Sequence, residues 1–198
     1  RPVAVASLKD AIATLGLGTV QSLVVAHQLK GLFQTRDDTL NQHLVHRWES
    51  TQRLASFSKK MANLLNMDGD LAYLCAILSD LGSSLIAQEF PHFQRVDDQP
   101  LFNWVANHYA HLISAHLLQF WNFDELLWLP IKKKGQWGYR SPHGLGLPEL
   151  INMCWVHTLN SENTPELQDM PHFHDIPPTV RILASERQFF LLKEYQPT

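Results

Sequence analysis

Charged residues are scarce in this chain, and neither sign dominates. They make up 18% of the 198 residues, and the formal net charge at pH 7 is -3. Such a balance offers no general attraction to nucleic acid or to anionic lipid. We expect no membrane span, because no uninterrupted apolar run reaches the roughly 18 residues that a span needs. The N-terminus also lacks the charged-then-apolar pattern of a secretory signal, so we expect a cytoplasmic protein.

Cysteine is nearly absent as well. Cys75 and Cys154 are the two cysteines, and each lies in an apolar helical context with no second cysteine nearby in sequence. Buried thiols in a reducing compartment are the expected state for such a pair. A disulfide or a redox pair is the alternative.

The common motifs for nucleotides and activated nucleophiles are missing. The chain has no G-x-S-x-G elbow, no phosphate-binding G-x-x-x-x-G-K loop and no dinucleotide fingerprint. Apolar residues, by contrast, make up 45% of the chain, which is enough for one sizeable core.

Helical periodicity runs through nearly the whole chain, and no segment has the pattern of a strand. We predict an all-α domain of seven or more helices, with Gly16 and Gly18 between the first two. Residues 134–146, rich in glycine and proline, are predicted to form a loop. The predicted helices span about residues 7–15, 19–33, 38–65, 71–90, 100–121, 124–133, 148–159 and 179–195. One largely apolar stripe is predicted along the third of them, formed by Leu40, Leu44, Trp48, Thr51, Ala55 and Ala62.

The predicted helix from Leu71, closed by Pro91, carries one acid in its apolar centre. Leu74, Leu78 and their neighbours recur at helical spacing, and Asp80 lies among them. An unpaired buried charge is costly, so Asp80 needs a partner. That partner is either a metal ion or a set of hydrogen-bond donors.

Eleven histidines raise the possibility of a metal site. His43 and His46 are three residues apart on a predicted helix, as are His108 and His111, and imidazole suits zinc, nickel or iron. No carboxylate lies at the helical step that would complete either site. The His174–Asp175 pair lies in a proline-rich segment, where helical geometry cannot fix two ligands. We expect solvated or core-edge histidines.

A basic run follows the helix that Asp124 is predicted to cap. Lys132, Lys133 and Lys134 precede a segment that contains Trp137, Tyr139 and Arg140. Basic residues with interleaved aromatics are typical of contacts with anions or single strands. The alternative is a solvated helix end, where lysines are favourable near the C-terminal dipole.

Four segments of the chain together carry a resemblance to a known family. They are SLKDAIATLG (7–16), WESTQRLA (48–55), LCAILSDLGSSLIAQEFP (74–91) and SAHLLQFWNF (114–123). In order and spacing they resemble the HDOD domain, a bacterial signalling relative of the HD-type metal-dependent phosphohydrolases. The resemblance implies an HD-domain, PDEase-like multi-helix bundle and a single domain over residues 1–198. Family members carry a helical subdomain before the first segment, which we expect to be absent here, leaving apolar surface exposed on the first helices.

HD-type enzymes use a histidine, a His-Asp dyad and a distant aspartate to hold metals that polarise a phosphoryl oxygen and generate hydroxide. By this resemblance, Ser50 and Ser79 stand where the first and the dyad histidines belong, and Asp80 is retained. His111 lies beside another histidine position, and Trp155 lies near the last aspartate position. Lysines 132 to 134 stand where adjacent histidines belong.

The resemblance therefore implies a degenerate HD fold with no catalysis and no cofactor. We expect a signal-transduction module that contacts other signalling proteins or a second copy of itself. One alternative is a phosphohydrolase with an altered divalent-metal site that uses Asp80, His111 and another histidine. Another is a sensor of nucleotides or phosphate ligands that uses the Lys132–Lys134 run and Arg140. We expect Asp80 to accept hydrogen bonds from hydroxyls and backbone donors.

Overall fold

The computed structural model describes residues 17–31, 33, 35, 37–93, 99–156 and 169–178. Within these ranges the chain is all-α, as predicted, with no strand. The predicted helices at 7–15 and 179–195 lie outside the described residues. The described helices are α1 (Leu17–Lys30), α2 (Asp38–Leu64), α3 (Gly69–Leu78), α4 (Leu81–Phe93), α5 (Gln99–Phe120), α6 (Glu125–Lys132), α7 (Leu147–Val156) and a 3-10 helix (Phe173–Asp175).

Aspartate caps fix where three of these helices begin. Asp37 accepts a hydrogen bond from the backbone N–H of Leu40 (2.9 Å) at the start of α2. Asp68 does the same at the start of α3, and Asp124 caps α6, as predicted. Each cap satisfies a backbone donor that has no partner within its own helix. The caps therefore define the ends of helices that surround the site described below.

The long helix α2 is the centre of the packing. It contacts α3 and α7, while α5 packs against α4 and α6. The apolar stripe predicted along α2 is buried as expected, with Leu40, Leu44 and Ala55 fully enclosed. On α1, by contrast, Leu17 and Val24 are exposed.

The predicted single helix through Asp80 is in fact two helices. α3 ends at Leu78 and α4 begins at Leu81, so Ser79 and Asp80 form the turn between them. The break goes with a contact to another helix, because the N–H of Gly82 donates to the Ser114 hydroxyl of α5 (2.8 Å). A Cβ atom on Gly82 would overlap the Ala110 carbonyl oxygen, so only glycine permits this close approach of α4 to α5.

Two predicted helix boundaries also differ. Pro91 does not close α4, which continues to Phe93. Gly18 lies inside α1, which begins at Leu17. A glycine near a helix start loses little, because the first turn has few hydrogen bonds to weaken.

By length and composition, the stretch Gly69–Glu89 is apolar enough to cross a membrane. We predicted no span from the sequence, because that prediction required an apolar run without interruption. In the structure, 67% of its apolar window is buried inside the protein. The turn at Ser79 and Asp80 also interrupts the stretch. These are the properties of a core segment.

Both cysteines are free and buried, as predicted. The Sγ atom of Cys75 lies 3.5 Å from the Leu127 carbonyl oxygen. Burial raises the pKa of the Cys154 thiol to about 12, and it raises the pKa of Cys75 well above its usual range. Both groups are therefore neutral thiols at physiological pH, which makes them poor nucleophiles.

Candidate functional site

The turn between α3 and α4 lies in the interior, where Ser79 and Asp80 are both buried. The Ser79 hydroxyl donates to the Ala76 carbonyl oxygen (2.8 Å). The Ser83 hydroxyl lies 2.6 Å from the Asp80 carbonyl oxygen and 2.8 Å from its carboxylate atom Oδ2. These contacts hold the turn in place and direct the Asp80 carboxylate towards α2 and α5.

Arg47 of α2 is the main partner of Asp80. Its Nε donates to Oδ2 (2.9 Å) and its Nη2 donates to Oδ1 (2.6 Å), so the pairing is bidentate. Its third nitrogen, Nη1, donates to the Asn107 side-chain oxygen of α5 (2.7 Å). Arginine–carboxylate pairs of this kind combine charge with fixed geometry. A hydroxyl donor to Asp80, here Ser83, was expected from the sequence. A guanidinium donor was not expected.

A second cation, Lys134, approaches the same turn from the end of α6. Its Nζ donates to the Ser79 hydroxyl (2.9 Å) and lies 4.6 Å from the centre of the Trp155 ring. The backbone around Lys134 is clamped by Asn152 of α7, which accepts from Gly135 N–H (2.8 Å) and donates to the Lys133 carbonyl (3.0 Å). The ammonium group is thus held at a fixed place in the interior.

Burial is the main cause that lowers the pKa of Lys134 to about 8; the Asp80 charge opposes this shift and the Arg47 charge adds to it. Burial likewise lowers the pKa of His111 to about 4, with Lys134 as the next cause. His111 is therefore a neutral imidazole at pH 7, whereas most Lys134 side chains carry a charge.

These groups surround a cavity of about 500 Å³. Its wall is formed by α2, the Ser79–Asp80 turn, α5 and the segments that carry Lys134 and Trp155. The residues that line it are His43, His46, Arg47, Ser50, Thr51, Leu54, Asp80, Asn103, Ala106, Asn107, His111, Lys134 and Trp155.

The residues that the resemblance assigned to the remnant of an HD site lie together. Ser50, Asp80 and His111 line the cavity, and Ser79 is bonded to Lys134 there. Trp155, assigned to the last aspartate position, also lines it. Five residues from four separate parts of the chain thus meet at one place.

The proposed basic set does not form one site. Lys134 lines the cavity, but Lys132, Lys133 and Arg140 do not. The ammonium group of Lys132 lies 5.6 Å from the centre of the Trp128 ring, and that of Lys133 lies 4.7 Å from the Tyr139 ring. Anion binding by the exposed Lys132 and the partly buried Lys133 stays a prediction.

The histidine pairs are arranged differently from one another. His43 and His46 both line the cavity. His108 is exposed, and its Nδ1 lies 2.7 Å from the Trp104 carbonyl oxygen, so it does not join His111 in one site. Asp175 pairs with His172 (2.7 Å between Nδ1 and Oδ2).

Arg47 and Asn107 are the functional residues that sequence reasoning missed. A signal for Arg47 was present, because it lies one helical turn before Ser50 on the same face of α2. A basic residue at that step, facing a buried acid, predicts an ion pair. Asn107 gives no such signal, because its contact depends on how α5 packs beside α2.

Comparison with known proteins assigns this geometry to a class. A crystal structure from Shewanella amazonensis SB2B, provisionally named a metal-dependent phosphohydrolase, is similar to this fold with a TM-score of 0.70 and 13% identity. The match covers 82% of this chain and 61% of that one, so this chain spans less than two thirds of its length. This chain therefore shares the fold of that protein, an all-α multi-helix bundle.

A family model then narrows the class. The HDOD domain model matches residues 1–136, a range that includes Arg47, Asp80 and Lys134. The chain therefore belongs to the HDOD domain family. None of the curated proteins compared with this chain matches it.

The residues present do not fit the metal ion that the name of the similar structure implies. Both oxygens of the Asp80 carboxylate are bonded to Arg47. The Lys134 ammonium binds Ser79 at the dyad-histidine position, where it would repel a cation. Among the described residues, no three His, Cys, Asp or Glu side chains lie close enough together to hold one ion. A divalent metal ordinarily needs three or more such ligands.

The ion pair predicts a measurable cost for removing its cation. Arg47→Gln should lower the free energy of unfolding by about 3 kcal/mol, because it leaves the buried Asp80 carboxylate without its main partner. The control is Arg53→Gln on the same helix, whose exposed side chain donates to Ser50, and which should cost less than about 0.5 kcal/mol. Urea denaturation measures both. Equal losses for the two variants would contradict the assignment.

The lowered pKa of Lys134 predicts a pH dependence of stability. Between its folded pKa of about 8 and its ordinary value of 10.5, the unfolded chain binds a proton that the folded chain has released. Stability should therefore rise with pH across this window, by up to about 3 kcal/mol. The comparison of wild type with Lys134→Met in urea denaturation isolates this contribution from other groups, such as the cysteines. Lys133→Met should keep the wild-type slope, and a flat difference for Lys134→Met would refute the assignment.

Proposed function

We propose that this chain is a non-catalytic signalling module that works through protein contacts and does not hydrolyse phosphate esters. The observation that carries the proposal is the bidentate bond between Arg47 and Asp80. In an HD-type enzyme the corresponding carboxylate faces a metal ion. In this chain both oxygens of the Asp80 carboxylate accept hydrogen bonds from the Arg47 guanidinium.

The charges around the site also support a role without a catalytic metal ion. A divalent ion at Asp80 would have to displace Arg47, and it would then share the cavity with Lys134. Two positive side chains beside one carboxylate oppose the entry of another cation. The serine at position 79 offers a neutral hydroxyl where an imidazole ligand would be needed.

Apolar side chains at the corner between α5 and α6 support a role in protein contact. Phe120 is 81% exposed and Leu126 is 64% exposed, and both Trp121 and Phe123 between them are about half exposed. Four neighbouring apolar side chains in water are characteristic of an interaction surface. The expected partner is a second copy of this chain or another signalling protein.

The lack of catalysis is tested by metal analysis combined with phosphatase and phosphodiesterase assays in added manganese. We expect less than stoichiometric metal in the purified protein. We also expect any trace of turnover to be the same in Asp80→Asn as in wild type, because it would come from contaminants. Turnover that Asp80→Asn abolishes, or one tightly bound metal ion per chain, would establish the altered phosphohydrolase instead.

The contact surface is tested by sedimentation over a wide range of protein concentration. Self-association of the wild type should be weakened at least tenfold by Phe120→Asp, since it places a charge in an apolar contact. Leu64→Asp, at the exposed end of α2, is the matched control and should associate as the wild type does. Equal weakening by both variants would contradict the role of this corner, and a wild type that stays monomeric would exclude self-association.

A further inference from the structure

We propose that the cavity between α2 and α5 binds a phosphate-bearing small molecule, with its anionic group between Arg47 and Lys134. The inference rests on the proposed function in one respect: the site is taken to hold protein cations and no metal. It uses residues different from the exposed basic run that the sequence suggested.

The charges around the cavity do not balance. Its lining contains two cations, Arg47 and Lys134, and one carboxylate, Asp80. The lining imidazole of His111 is neutral at pH 7, because its pKa is lowered to about 4. One positive charge is therefore left over in a largely buried site (two minus one). A buried charge without a counter-charge is unfavourable, so an anion entering this cavity would be stabilised.

The two cations also keep hydrogen-bond donors for such a ligand. The bonds of Arg47 to Asp80 and Asn107 use three of its five N–H groups. The hydrogen bond from Lys134 to the Ser79 hydroxyl uses one of its three N–H groups. A planar guanidinium and a point-charge ammonium are the usual side-chain partners of phosphate oxygens. Arg47 is partly buried and bonded to Asp80, and Lys134 is buried and bonded to the adjacent Ser79, so both cations lie beside the same turn.

The size and the remaining lining favour an organic phosphate over inorganic phosphate. A volume of about 500 Å³ lies within the range of small-molecule sites, about 300 to 1,000 Å³. Leu54, Ala106 and Trp155 supply apolar surface beside the cations. Asn103 and His43 supply polar groups that can orient a ligand. A molecule of mononucleotide size can contact the apolar side chains and the polar groups of this lining at the same time.

The experiment is calorimetric titration with three probes: AMP, inorganic phosphate and citrate. AMP should bind the wild type more tightly than either of the others does. Lys134→Met should weaken AMP binding at least about tenfold, through loss of one charge-assisted contact. Lys133→Met is the matched control, because the same exchange one residue earlier removes a lysine that lies over Tyr139 and does not line the cavity. It should leave AMP binding unchanged.

The pH profile of the wild type gives a second readout that does not depend on a variant. The groups that face Lys134 are Asp80, Arg47 and the neutral His111. AMP carries a constant charge above about pH 7, since its second phosphate pKa is near 6. Because Lys134 loses its proton above about pH 8, affinity should fall about tenfold from pH 7.5 to pH 9.5. If Lys134→Met does not fold, this pH profile of the wild type still tests whether Lys134 takes part in AMP binding.

Three outcomes would overturn the proposal: no AMP binding by the wild type at millimolar concentration, equal weakening by Lys133→Met, or citrate binding as tightly as AMP. A constant affinity from pH 7.5 to pH 9.5 would remove Lys134 from the site. Absence of binding without turnover refutes this inference and leaves the proposed function standing. Hydrolysis of AMP that depends on Asp80, by contrast, refutes the proposed function.

Discussion

The bidentate bond between Arg47 and Asp80 is the constraint on which the rest of the site depends. It joins α2 to the turn between α3 and α4, and through Asn107 it also ties that turn to α5. A carboxylate at this depth is tolerated because its negative charge is met at both oxygens. The cavity lies beside this pair, and His111 and the buried Lys134 line it together with Arg47 and Asp80.

The fold was largely predictable from sequence because its determinants are local. The stripe along α2 and the aspartate at the start of α6 are set by spacing and by capping, and both are as predicted. The break at Ser79 and Asp80 was not predictable in the same way. It depends on Gly82 meeting Ser114 and Ala110 of a distant helix, and periodicity carries no information about such a contact.

The site was predictable in its location and only partly in its chemistry. The family resemblance brought Ser50, Asp80 and His111 to one place, although nothing in their spacing would have done so. The partner of Asp80 was missed because attention went to ligand positions and not to the helical face that Arg47 shares with Ser50. The basic run was treated as one group, whereas the end of α6 turns Lys134 inwards and leaves Lys132 exposed.

The substitutions at this site act as one unit. Ser79 is small, and its hydroxyl can accept a hydrogen bond from Lys134 while donating to the Ala76 carbonyl. A histidine there would fill space that the Lys134 ammonium group occupies beside Ser79. Histidine at position 79 alone would therefore leave a buried lysine without its acceptor, and Arg47 would still cover the carboxylate. Converting this site to metal binding requires the serine and both cations to change together, because each holds the others in place.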